Sequence, residues 1–253
     1  MTGYFQVLGQ PPIMGQSKIM GQQKYIEYGT YRQAFGLLKK TVPIIAVVGA
    51  GGKTTLIELL AEEYAEAGSR VIVTTTTHML CPKKASVLFI DDMTAMEKAN
   101  VTENLENERK FLYEKISQSP TGILYIAAHA ADFAQSGKLA PISDGFQKAL
   151  FQCGYPIIIE ADGSKKLPCK VPAVHEPVIP DETTTVIGVL STRAVGQQIK
   201  SCCHRAELAA ELLKKSIEDE IEFTDLEKIA ESSQGLRKSV QDTMEFYAVL
   251  NCY

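Results

Sequence analysis

The chain has 253 residues, 45% of them hydrophobic and 22% charged, and a formal net charge of −4 at pH 7. That length suits one large α/β domain or a domain with a small appendage, and the acidic balance leaves no basic footprint for nucleic acid. No apolar run approaches the roughly 18 residues of a membrane span. Residues 1–12 lack the basic start and apolar core of a secretory signal, and the six cysteines have no framework spacing. The expectation is therefore a cytoplasmic protein with free thiols.

Residues 1–40 read as an extension, rich in Gly, Gln and Pro, with a short helix over 31–40 leading into the first strand. The stretch that organises the chain follows at residues 42–55. Ile44 to Val48 are apolar at consecutive positions, as in a strand buried on both faces of a parallel sheet. The turn Gly49-Ala50-Gly51-Gly52-Lys53-Thr54-Thr55 comes next, then a helical pattern carrying Leu56, Ile57, Leu59, Leu60 and Tyr64, with Glu58, Glu62, Glu63 and Glu66 on its wet face. Strand, glycine-rich turn and helix in that order form a phosphate-binding loop. The glycines let backbone N–H groups converge on an anion, and the helix adds the positive end of its dipole. Lys53 would reach the outer phosphates of a nucleoside triphosphate, and the Thr54 hydroxyl would ligate Mg²⁺.

Further strands are expected over residues 70–73, 87–90, 122–127, 156–160, 183–190 and 246–250, with helices over 103–119 and from Ser143 to Gly154. Alternating strands and helices predict a phosphate-loop NTPase-like α/β fold, a mostly parallel sheet with helices on both faces. The expected organisation is an N-terminal extension (1–40), a nucleotide-binding domain (41–200) and a small, mainly helical C-terminal part (201–253) packed on that domain.

Three more stretches can carry chemistry. The strand Ile157-Ile158-Ile159-Glu160 ends in an acid and is followed by Ala161-Asp162-Gly163. Phosphate-loop proteins place a Mg²⁺-holding carboxylate in this way, which makes Glu160 and Asp162 metal-site and catalytic candidates beside Lys53. Thr74 to Thr77 and His78 close the second strand. They are either plain β-branched strand end or, if that strand lies next to the phosphate loop, hydroxyls and an imidazole facing the phosphate or an acceptor, with Thr75, Thr76, Thr77 and His78 as the candidates. The proline-rich run 165–180 cannot be a long helix or central strand. Its Lys170 and His175 are either ordinary surface groups or anion or acceptor ligands. Cys202-Cys203-His204-Arg205 lacks a C-x-x-C partner for a zinc site.

The loop Gly49-x-x-Gly52-Lys53-Thr54-Thr55 resembles that of Mur ligases and folylpolyglutamate synthases, which bind ATP with a G-x-x-G-K-S/T-S/T turn. The combination of Val48-Gly49-Ala50-Gly51-Gly52-Lys53-Thr54-Thr55, the run Thr74 to His78 and the long block Glu160 to Pro180 resembles the YqeC family over roughly residues 40–250. Members of that family are regarded as accessory proteins for selenium-dependent molybdenum hydroxylases. Many of them continue past an asparagine like Asn251 toward an acidic residue, a pattern similar to the N-K-x-D base-reading motif; here the sequence reads Asn251-Cys252-Tyr253. The residues point to a Mg²⁺-dependent, ATP- or GTP-binding NTPase with neither nucleic acid nor a membrane as partner, and the resemblance implies a client molybdenum hydroxylase or its cofactor as a further partner. An ATP-dependent ligase or kinase acting on a small anionic acceptor, and a non-hydrolysing nucleotide-gated client-binding protein, remain open beside it.

Overall fold

The computed structural model describes residues 4–8, 16–20, 23–27, 29–83, 85–92 and 105–252. The strands are β1 (Tyr4–Leu8), β2 (Gln16–Met20), β3 (Gln23–Glu27), β4 (Ile44–Gly49), β5 (Val71–Thr75), β6 (Met79–Leu80), β7 (Ser86–Phe89), β8 (Ile123–His129), β9 (Lys138–Ala140), β10 (Ile157–Glu160), β11 (Cys169–Lys170), β12 (Thr185–Ser191), β13 (Cys203–His204) and β14 (Glu245–Cys252). The helices are α1 (Tyr31–Ala34), α2 (Lys53–Glu66), α3 (Leu105–Gln118), α4 (Phe133–Ser136), α5 (Asp144–Phe151), α6 (Ile199–Cys202), α7 (Ala206–Leu213) and α8 (Phe223–Glu231). The first two positions of the helix expected over 103–119 lie outside the described residues.

Every residue of β4 is buried. Ile45 and Val47 enter a core shared with Leu56, Leu60 and Tyr64 of α2. Ile44, Ala46 and Val48 enter a second core with Leu112 and Ile116 of α3 and Leu150 of α5. Helices therefore cover both faces of the sheet. A strand with no wet side has no polar positions to alternate, which explains the unbroken apolar run. A third core gathers α6, α7 and α8 around Leu190 of β12 and Ala248 and Leu250 of β14.

Among the described residues the main sheet has ten strands in the order β1-β14-β12-β4-β10-β5-β8-β9-β6, with β7 on β8. From β14 to β8 every pairing is parallel. The sheet is thus α/β and mostly parallel, as the alternation of elements predicts. Four local readings change. β5 is not next to the strand that leads into the glycine-rich turn, because β10 pairs with both β4 and β5 and lies between them. Tyr4–Leu8, expected in a loose arm, pairs antiparallel with β14. Glu63, expected on the wet face of α2, accepts the N–H groups of Tyr31 (2.7 Å) and Arg32 (2.8 Å), satisfying the open start of α1. In α3 the buried stripe is Glu108, Leu112 and Ile116, and Leu105 lies outside it at 39% exposure.

The seating of α2 fixes where its first residue stands, because Leu56, Ile57, Leu60 and Tyr64 are all at most 1% exposed. Leu60→Ala should cost about 2–5 kcal/mol, read as a lower urea midpoint at unchanged m-value. A loss below about 1 kcal/mol would mean that this face of α2 is not what holds it to the sheet.

Candidate functional site

The carboxyl ends of β4, β10 and β12 meet at one place, where open parallel sheets hold their ligands. The turn after β4 is shaped by its neighbours. Gly49 has φ 98°, and a Cβ there would stand 2.2 Å from the Val189 carbonyl oxygen of β12. Gly51 has φ 71°, and a Cβ there would meet Ser191 at 2.6 Å and the Pro168 carbonyl at 2.7 Å. Only glycine fits positions this close at positive φ. The Ala50 N–H donates to Val189 O at 2.7 Å, and the Asn251 side-chain amide donates to Gly51 O at 2.8 Å. The turn is thereby pinned to β12 and to the end of β14.

The backbone N–H groups from Gly51 to Thr55 have no acceptor among the described residues. The first bond of α2 is Leu56 N–H to Gly52 O at 2.9 Å. Five successive open donors at the start of a 14-residue helix make a positive concavity suited to an anion. Thr54 and Thr55 are exposed there.

Lys53 is only 4% exposed and does not extend outward. Its Nζ lies 2.6 Å from Gly49 O and 2.9 Å from Asp162 Oδ1. Asp162, 1% exposed, also accepts the Gly49 N–H on both oxygens, at 3.1 and 3.0 Å, and pairs with Lys170 Nζ at 2.9 Å. Lys170, fully buried on β11, continues the chain to Glu176 at 2.6 Å and donates to Gly163 O. Arg205 Nη1 closes it on Glu176 at 2.8 Å. Burial alone would raise the Glu176 carboxyl; hydrogen bonds from Arg205 and Lys170 outweigh it and bring it down to about 2.

Glu160 differs from Asp162. It is 8% exposed, and among the described residues no hydrogen bond or ion pair reaches its carboxylate. Burial pushes it up to about 7 against the opposing charges of Lys53 and Lys170, with Asp162 adding to the rise. Oxygen donors of this kind fit a hard divalent cation. The exposed Thr54 hydroxyl and the Glu160 carboxylate are available for one, whereas Asp162 is already engaged by two lysines and a backbone amide.

The structure thus gathers Gly49 to Thr55, Glu160, Asp162 and Lys170. The threonines act differently from one another. Thr75 Oγ1 donates to Glu160 O at 2.9 Å and Thr76 Oγ1 to Val178 O at 2.7 Å, so both stitch neighbouring segments to β5, while the buried Thr77 hydroxyl has no hydrogen-bond partner among the described residues. His78 and His175 are exposed, and among the described residues neither makes a hydrogen bond or ion pair with this cluster. Lys170 is enclosed by its three acceptors and faces no solvent. Glu176 and Arg205 were missed by reading the sequence alone. Glu176 stands beside His175 in the proline-rich run, but a single acid among prolines carries no signal until folding brings Lys170 and Arg205 to it. The Cys169 and Cys203 sulfurs lie 3.4 Å apart in the β11–β13 pair, and the described cysteines are all free thiols.

Comparison with known proteins places these residues in a family. The family described as YqeC protein matches residues 45–207, which contain the glycine-rich turn, Glu160, Asp162, Lys170 and Arg205. The uncharacterized protein YqeC of Escherichia coli (strain K12) is 32% identical over 207 residues, spanning 80% of this chain and 73% of that protein. No solved structure matches the chain. With most of its length matched by the family and by this relative, the chain belongs to the YqeC family.

Proposed function

We propose that this protein binds a nucleoside triphosphate with Mg²⁺ at the start of α2 and acts as a phosphate-loop NTPase. The observation that carries this reading is the row of five open N–H groups from Gly51 to Thr55 beside a buried lysine, Lys53. The anion would take those donors, and Lys53 would turn from Asp162 to the outer phosphates. Lys170 would remain on Asp162 and keep that carboxylate compensated. Thr54 and Glu160 would hold Mg²⁺, which supplies charge stabilisation at the phosphoryl group. Rate enhancement would come from positioning and preorganised charge rather than from a covalent step.

The base remains ATP or GTP in this reading, and the setting is the cytoplasm. Among the described residues no helix is long and apolar enough to cross a membrane. The wider role we infer is that of an accessory factor in maturation of a selenium-dependent molybdenum hydroxylase. That role rests on the resemblance of residues 160–180 to the family pattern.

Calorimetric titration with Mg-ATP and with Mg-GTP should give one binding event, and Lys53→Ala should weaken it by about 100-fold, the effect of losing roughly 3 kcal/mol of charge-assisted bonding. Equal affinity in the folded variant, or no binding to folded wild type, would sink the nucleotide reading.

Glu160 gives a test with a defined sign. Its folded pKa, about 7, lies above the ordinary 4.5, so the folded state holds the proton more tightly than the unfolded one. Without nucleotide, stability should therefore fall as pH rises from 4.5 through 7, by on the order of 3 kcal/mol for this group. Glu160→Gln should flatten that fall, melting above wild type at pH 8 and close to it at pH 4.5. Parallel melting curves for the two proteins across this range would refute the assignment.

A further inference from the structure

The segment between Asp162 and Cys169 is tied to the phosphate loop at both ends. At its start Asp162 accepts the Gly49 N–H. At its end Pro168 O accepts the Ser191 N–H at 3.0 Å and lies where a side chain at Gly51 would stand. Between these anchors the chain makes a tight turn, closed by Leu167 N–H to Ser164 O at 3.0 Å. Its two central residues are Lys165, φ 49°, and Lys166, φ 63°.

Two successive residues at positive φ are the backbone of a type I′ turn, where Asn-Gly is favoured. Lysine has neither the missing Cβ of glycine nor the short polar side chain that lets asparagine tolerate this region. Non-glycine residues held in such conformations concentrate at functional sites. Arg205, φ 67°, paired with Glu176, is a third such residue.

Both lysines are exposed, and among the described residues neither has a hydrogen bond or an acidic partner. Lys53, Lys170 and Arg205, by contrast, are each paired with Asp162 or Glu176. Lys165 also stands close enough to His204 to act on it: burial first, then the charges of Arg205, Lys170 and Lys165, hold that imidazole below its usual value. The turn therefore carries two uncompensated cations on a segment whose far end, at Pro168, stands beside Gly51, the first of the five open N–H groups. Beside those donors lies Glu160, nine-tenths buried and unpartnered, which calls for a cation brought in with the anion.

We propose that Lys165 and Lys166 form a second anion clamp that receives the terminal phosphate of a nucleoside triphosphate, so that the site distinguishes triphosphate from diphosphate. This rests on the nucleotide reading above and adds the group that reads phosphate number. It assigns that task to the strained turn rather than to Lys170, which is enclosed by its own acceptors, or to the exposed His175.

The test measures affinity for a Mg²⁺-bound, non-hydrolysable triphosphate analogue and for the matching Mg²⁺ diphosphate by calorimetry. Three full-length proteins are compared: wild type, K165A/K166A, and K165N/K166G, whose turn residues suit positive φ. Wild type should prefer the triphosphate. Both double variants should lose about tenfold or more of triphosphate affinity, as expected when charge-assisted bonds are removed, with diphosphate affinity within about twofold of wild type. K165N/K166G should melt at or above the wild-type temperature, which separates lost charge from lost structure. A K165R/K166R variant should keep the preference. An unchanged triphosphate-to-diphosphate ratio in both charge-removing variants, with binding intact, would overturn the clamp and leave the nucleotide site standing. Absence of any nucleotide binding by folded wild type would overturn both.

Discussion

A single buried carboxylate holds this site together. Asp162 receives the Gly49 N–H on both oxygens and two lysine ammonium groups, Lys53 and Lys170, each at 2.9 Å. One negative charge between two buried positive ones is a tolerable arrangement only as a set. Removing one member of a buried pair leaves an uncompensated charge, at about 3–5 kcal/mol. Three segments distant in sequence are joined through it: the turn after β4, the end of β10, and β11 with the proline-rich loop. Glu176 and Arg205 extend the same alternation of charge to the start of α7. The glycine-rich turn is therefore held in shape by the protein's own anion, which leaves the outer donors from Gly51 to Thr55 open.

That arrangement divides the two acids that the sequence presents as equals. Glu160 and Asp162 stand two residues apart after one apolar run, and nothing in their spacing separates them. The register does. Glu160 is the last residue of β10, opposite Val47 on one side and Thr75 on the other, inside the sheet. Asp162 lies past the end of the strand, where the Gly49 amide and two lysines reach it. Burial without partners raises one carboxylate, and partners hold the other in place. An open carboxylate and an engaged one thus follow from a shift of two positions.

The elements were legible where burial dictates composition. β4, β5, β10, β12 and β14 are short apolar runs because both their faces are covered, and Ser143 announces the start of α5 by capping it at Phe146. What the sequence could not show is which strands are neighbours. The placement of β10 between β4 and β5 depends on how the crossovers pack, and the run of threonines consequently acts on Glu160 O and Val178 O. The same limit hid the network. Lys170 and His175 look equally available in a proline-rich loop, yet one is enclosed and the other faces solvent, because a long side chain's surroundings come from distant segments. Glu63 shows it again on a helix: helical spacing marks it as a wet-face acid, and only the return of residues 31–32 reveals the backbone donors it satisfies.

The uncompensated groups around the turn constrain what could bind there. Five N–H donors and the Lys165 and Lys166 ammonium groups call for an anion, while Glu160, buried without a partner, calls for a cation. A simple anion would satisfy the first set and add repulsion to Glu160 at close range and low dielectric. A lone divalent cation would satisfy Glu160 and leave the donors and both lysines open. A metal ion already bound to a polyphosphate would bring both charges in one ligand: Glu160 would hold the metal, and the open N–H groups and the lysine turn would take phosphate oxygens. If the proposed nucleotide reading holds, this distribution of unmet charge favours the metal–nucleotide complex over nucleotide or metal alone.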